Sequence, residues 1–178
     1  MIISDRQREE NFQKYLRLLE DPNYENVTFD EQSGGVSAVH IDHKFDSEIG
    51  AFGIKKGEYE KLSLSILRQR GHFVLLQSEL AAKGVKTPDG ILDGSIMEIK
   101  AVERVGKWII KKKIHTATKQ RAESLVLYFH KKDLFSATLL EDGWEKFLYD
   151  KDSLRYEKSI KKVFCIVENH VVEWSIPK

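Results

Sequence analysis

The spacing of apolar residues along the 178-residue chain changes from segment to segment, and each spacing predicts an element. Residues 5–19 put Phe12, Tyr15, Leu16 and Leu19 on one side of a helical wheel behind Ser4 or Asp5 as a cap, which predicts an amphipathic helix. Residues 20–57 contain Pro22, Gly34, Gly35, Gly50, Gly53 and Gly57, sustain no period, and read as an ordered loop or linker lying against a core. In 58–70, Tyr59, Leu62, Ile66 and Leu67 recur at a helical period and Gly71 follows, so a helix with a glycine stop is expected. Residues 72–77 read as a buried strand. Ile91-Leu92 and Ile96-Met97 flank Asp93-Gly94, a dipeptide that accepts the positive φ of a two-residue hairpin turn. Ile110, Ile114 and Ala117 mark a second amphipathic helix over 108–122, and 125–129 is a second apolar strand. A short helix over 142–148 and an antiparallel pair, 162–167 with 171–176 joined through Glu168-Asn169-His170, complete the chain.

The order helix, strand, strand, strand, helix, strand predicts an α/β (α+β) fold. Its αβββαβ core would have a mixed central sheet flanked by helices, with an N-terminal helical arm and a C-terminal β-hairpin extension. Residues 1–57 form the helix and turn-rich arm in this reading, and 58–178 the main domain. The hairpin carries the chemistry. Alternation along a strand puts Glu98 and Lys100 on one face and Met97, Ile99 and Ala101 on the other, while the turn brings Asp89 back towards Glu98. Two facing carboxylates can hold a hard divalent cation, and an adjacent lysine can orient or deprotonate a water and offset charge on a phosphate. Asp93 is the reserve ligand, because a change of hairpin register would exchange it for Asp89. The plain alternative is a surface strand with solvated Glu98 and Lys100 and two acids serving the turn.

Asp89, then eight residues, then Glu98-Ile99-Lys100 resembles the motif of the PD-(D/E)XK nuclease superfamily, and over residues 58–129 the element order resembles the core of that fold. The resemblance implies a metal-dependent endonuclease. Asp89 and Glu98, with Asp93 in reserve, would bind Mg²⁺ or Mn²⁺, Lys100 would assist the attacking water, and Gln120 would reach the site from the following helix. Glutamates on the first helix complete the metal site in some members. Here Glu60 on that helix, and Glu79 after the first strand, read as solvent-facing acids.

A second resemblance runs through Thr87-Pro88-Asp89-Gly90, Met97-Glu98-Ile99-Lys100-Ala101, Ala117-Thr118-Lys119-Gln120-Arg121-Ala122 and, upstream, Asp42-His43-Lys44-Phe45. It is similar to C-terminal nuclease domains of contact-dependent growth inhibition toxins and to related domains of phage and mobile-element proteins. Many of these fall in the barnase/EndoU/colicin/RelE-type ribonuclease group. That resemblance implies a toxin-like ribonuclease that needs no metal and cuts tRNA. His115 would be its general acid or base, with Thr116 and Thr118 as phosphate contacts. It also implies an immunity or phage structural protein as a partner. The simpler reading of these residues is a surface histidine and threonines bonded to the preceding turn.

Charge is distributed unevenly. Residues 104–121 carry seven basic residues and no acid in a chain of net charge +1, which leaves −6 for the remainder. Lys107, Lys111, Lys113, Lys119 and Arg121 are therefore candidate contacts to DNA or RNA, although a lysine triplet spans most of a helix and cannot face one ligand as a whole. A module that binds nucleic acid or a protein partner without cutting is the third functional reading. The 41% hydrophobic content suits a single ordinary core. The single cysteine, Cys165, sits in an apolar run and reads as a small buried hydrophobe. His40 and His43 form a His-X-X-His pair without nearby cysteines and read as loop residues. With no signal-like or membrane-length apolar run, the expectation is a cytoplasmic chain with no membrane partner, of bacterial or phage origin and possible as part of a larger delivered protein.

Overall fold

Ser4 starts the first helix by accepting the N–H of Gln7 at 3.2 Å, and each later element follows from comparably local causes. The structure, a computed structural model, describes residues 3–80, 87–150 and 159–177. In chain order it comprises α1 (Asp5–Glu20), β1 (Tyr24–Phe29), β2 (Val36–His40), α2 (Lys56–Gln69), β3 (Phe73–Leu76), β4 (Gly90–Leu92) and β5 (Ser95–Val102). These are followed by α3 (Lys107–Lys119), β6 (Ser124–Phe129), α4 (Ala137–Leu148), β7 (Lys162–Val167) and β8 (His170–Trp174). The strands form one sheet in the order β1 to β8. β2 with β3, β5 with β6 and β6 with β7 are parallel, and the other neighbours are antiparallel. This is the expected mixed sheet flanked by helices.

Three apolar clusters fix the layers. Leu64, Ile66 and Leu67 of α2 cover one face through Val39, Val74, Leu76, Met97, Ile99 and Val126. On the other face, Ile110, Ile114 and Ala117 of α3 pack with Leu140, Trp144 and Phe147 of α4 over Val102, Leu125, Leu127 and Cys165. α1 lies on Val36, Ala38 and Phe73 through Leu18. Because β6 and β7 are covered on both faces, their sequences are continuously apolar rather than alternating. Burial pushes the Cys165 thiol up to about 12, in keeping with a packing role.

Two expectations are corrected. Residues 20–57 are not a loop throughout: they contain β1 and β2, and β2 pairs with β3, so the arm and the main domain share one sheet. Gly34 and Gly35, read as loop residues, serve the chain reversal between these strands. Gly34 adopts φ +74°, and a Cβ on Gly35 would collide with the carbonyl oxygen of Arg68. The buried side of α1 is also rotated from the expected stripe. Leu18 and Asn11 are buried, the Asn11 amide donating to Gly34 O at 2.9 Å and Gly71 O at 3.3 Å, whereas Leu16 and Leu19 are exposed. Both hairpin turns are as expected, with positive φ at Asp93 and Gly94 and at Glu168 and Asn169. No helix among the described residues is long and apolar enough to cross a membrane.

Candidate active site

The β4–β5 ladder pairs Gly90 with Met97, and the next opposed residues are Asp89 and Glu98. Here side chains replace the ladder. Ile99 N–H donates to Asp89 Oδ2 at 2.6 Å and Asp89 N–H donates to Glu98 Oε2 at 3.2 Å, while Asp89 O still accepts Gln77 N–H from the β3 side at 3.0 Å. The backbone ladder ends where the carboxylates sit, and each acid is fixed by a backbone N–H of its partner strand. Lys100, two residues along the same face as Glu98, donates its ammonium to Glu98 Oε1 and lies 3.8 Å from Asp89 Oδ2. Gly90 is required by the crowding: a Cβ there would collide with Leu75 O on β3.

The electrostatics follow from burial of two acids beside one cation. The Glu98 side chain is fully buried, and burial followed by the charge of Asp89 pushes its carboxyl up to about 7 against the pull of Lys100. Asp89 is raised as well, by burial first and by Glu60, with Lys100 and Ile99 N–H opposing. For Lys100, burial acts downwards but the charges of Asp89 and Glu98 prevail, and its ammonium is held above the ordinary lysine value.

A further pair was not expected to belong to the site. His43 is buried, with Nδ1 2.9 Å from Gln77 O and Nε2 3.1 Å from Glu60 Oε2. Burial lowers its affinity for a proton, but the bonds to Glu60 and Gln77 and the charges of Glu60 and Glu79 outweigh that and raise it. Glu60 thereby enters the same cleft of about 580 Å³ as Asp89, Glu98, Lys100 and Gln120. The reading of Glu60 as solvent-facing, and of His43 as an ordinary loop histidine, is corrected by this contact. Glu79 remains one-third exposed, 3.8 Å from His43 Nδ1.

The remaining candidates divide cleanly. Gln120 caps α3, its amide donates to Thr87 O at 3.2 Å, and its Oε1 is buried without a hydrogen-bond partner among the described residues. Asp93 is at the far end of the hairpin, in the turn, where it accepts Phe73 N–H at 2.9 Å and lies 2.7 Å from His72 Nδ1, away from Asp89 and Glu98. His115 faces Phe147 of α4, with ring centroids 6.5 Å apart. Thr116 and Thr118 donate their hydroxyls to Lys112 O and His115 O, bonds that hold them to their own helix. Lys111 pairs with Asp150 at 2.5 Å on the α4 side. Lys113 lines the groove beside Lys100, whereas Lys107, Lys119 and Arg121 are exposed. Among the described residues, no three His, Cys, Asp or Glu side chains form a ready-made metal cage. Comparison with protein-family models, curated proteins and solved structures gave no match.

Proposed function

We propose that the chain is a metal-dependent nuclease of the PD-(D/E)XK type, hydrolysing phosphodiester bonds of DNA or RNA, with Asp89, Glu98 and Lys100 as its centre. The observation that carries this reading is the end of the β4–β5 ladder, where two carboxylates, both held above their ordinary values, share a single ammonium in an open cleft. The same αβββαβ order over α2 to β6 supports it.

A divalent cation fits this donor set. Asp89 and Glu98 offer hard oxygens with less than one compensating charge each, Glu60 adds a third acid to the cleft, and Mg²⁺ is commonly held by one or two carboxylates with water completing its shell. Bound there, Mg²⁺ or Mn²⁺ would polarise a phosphoryl oxygen and acidify a coordinated water. Lys100 orients the attacking water and offsets charge developing on the phosphate. Gln120, anchored through its amide, presents a free carbonyl oxygen that can accept a proton of that water or of a nucleotide. His43 positions Glu60. Its place of action is the cytoplasm of a bacterial cell, whether the chain works there alone or is delivered within a toxin-like or phage-related protein with an immunity or structural partner.

The metal-free ribonuclease reading is less favoured, because His115 packs towards Phe147 and both threonine hydroxyls bond to their own helix. Cleavage of DNA and RNA oligonucleotides with Mg²⁺ or Mn²⁺, repeated in EDTA, separates the readings. Activity lost in EDTA and restored by Mn²⁺ is expected. Activity that survives EDTA and fails in His115→Ala would transfer the assignment to the metal-free mechanism, and salt-dependent binding without cleavage would leave a binding module.

A further inference from the structure

The cleft at Glu98 does not end there. A second cavity of about 210 Å³ shares Glu60 and Lys100 with it, and a third of about 470 Å³ continues from Lys56, Glu103 and Lys113 to Arg104 and Gly50. The three form one groove past the end of β5. Its character changes along its length: the first cavity is dominated by acids, whereas the last presents Lys56, Lys113 and Arg104.

The basic end is built into the fold. Lys56 opens α2 and Lys113 belongs to α3, so the two helices that cover opposite faces of the sheet each contribute a cation beside the end of β5. One wall is the segment before α2. It is held by an Ile49–Lys55 bridge and by Phe52 stacked on His130 at 4.1 Å, and it passes so close to Glu103 that a Cβ on Gly50 would collide with that carboxylate. The acids near this end are occupied. Glu103 Oε1 accepts the Tyr59 hydroxyl at 2.9 Å, and Glu48 pairs with Lys56 at 2.6 Å. Lys113 has no carboxylate within salt-bridge distance among the described residues. Burial, and then the charges of Lys100 and Lys56, lower its hold on its proton against the opposing charge of Glu103. A partly buried ammonium pressed by two like charges, and with no direct ion pair to Glu103, is completed by an anion.

We propose that Lys113 and Arg104, with Lys56 beside them, form a phosphate subsite for the nucleotide adjoining the scissile bond, so that a polynucleotide strand runs along the groove from Gln120 past Glu98 to Arg104. This rests on the nuclease reading for its substrate class and adds a direction and a binding register to it. An isolated phosphodiester would reach only the acidic cleft, and a strand engages both ends of the groove.

The test has a binding arm and a cleavage arm. In the binding arm, a fluorescein-labelled 12-nucleotide DNA or RNA strand is titrated by anisotropy into Glu98→Gln protein, which removes turnover, across a series of salt concentrations. Lys113→Ala and Arg104→Ala, each added to that background, are expected to weaken binding at least about fivefold and to reduce the salt slope by about one per cation removed. Lys162→Ala, at the opposite end of the strands, is the control. Lys113→Arg keeps the charge and should recover most of the affinity. No strand bound, or an unchanged slope in both variants, overturns the subsite whatever the enzymology. In the cleavage arm, Lys113→Ala is expected to lower kcat/KM for the oligonucleotide at least tenfold more than for bis(p-nitrophenyl) phosphate. Equal losses on both would assign Lys113 to the reacting centre instead and overturn its place in a neighbouring subsite. If neither substrate is hydrolysed with Mg²⁺ or Mn²⁺, the nuclease reading fails, and the binding arm still decides the subsite.

Discussion

At the scale of single residues, Glu98 couples function to stability. Its carboxyl keeps a proton up to about 7 in the folded protein and only to the ordinary 4.5 in an unfolded chain. The folded state therefore binds the additional proton between those values, and stability falls as pH rises through that window. The raised Asp89 acts in the same sense. His43, also raised, contributes stability below the ordinary 6.5 that is lost as pH rises through its folded value, so the two trends add near neutrality. Without divalent cation, the melting temperature should decline between pH 5 and 8. Glu98→Gln should flatten much of that decline and be the more stable protein at pH 7.5, by on the order of 1–3 kcal/mol. A Glu98→Gln curve parallel to the wild type would show that Glu98 does not carry the shift. His43→Ala should cost about 2–4 kcal/mol in urea unfolding, because Glu60 and Gln77 O both lose the ring that bonds to them. A cost below about 1 kcal/mol would mean that Glu60 is stabilised by water alone.

Asp89, Glu98 and Lys100 were legible in the sequence because strand alternation and a turn dipeptide act over a few residues. Glu60 and His43 were not, since their contact joins a helix to a loop 17 positions away. The available hint was that Lys56 and Glu60 stand four apart on α2, one turn along the side that becomes the groove wall.

At the scale of elements, the β4–β5 hairpin is the unit that creates the site, and its register depends on Gly90. Replacing Gly90 with Ala should cost about 3 kcal/mol or more in chemical unfolding and abolish cleavage, because the added methyl meets Leu75 O and separates β3 from β4. Gly94→Ala meets no neighbour and bears only the strain of φ +85°, about 1 kcal/mol. Equal costs would contradict the register. The helices and strands from α2 to β6 could be read from periodicity because each buries a face against one sheet. β1 and β2 escaped detection because their glycines are turn and close-approach residues of a hairpin, a role that becomes visible only when Arg68 O is known to lie against Gly35. The α1 stripe was misplaced for a related reason: a buried asparagine bonded to two carbonyls outcompetes leucines for the inner face.

At the scale of the whole molecule, the sheet places an acidic centre where the β4–β5 ladder ends and extends it into a groove edged by cations from both helical layers. Acids alone would repel a polyanion, and cations alone would bind one without cutting it. The most direct measurement of the central claim is single-turnover cleavage of a saturating labelled oligonucleotide in Mn²⁺ by the wild type, Glu98→Gln and Lys100→Ala, each shown to be folded. Both variants should bind the strand yet cleave it at least about a hundredfold more slowly, because they remove cation charge and water activation at the reacting phosphate. Cleavage by either variant at the wild-type rate would contradict the assignment of this hairpin as the catalytic centre.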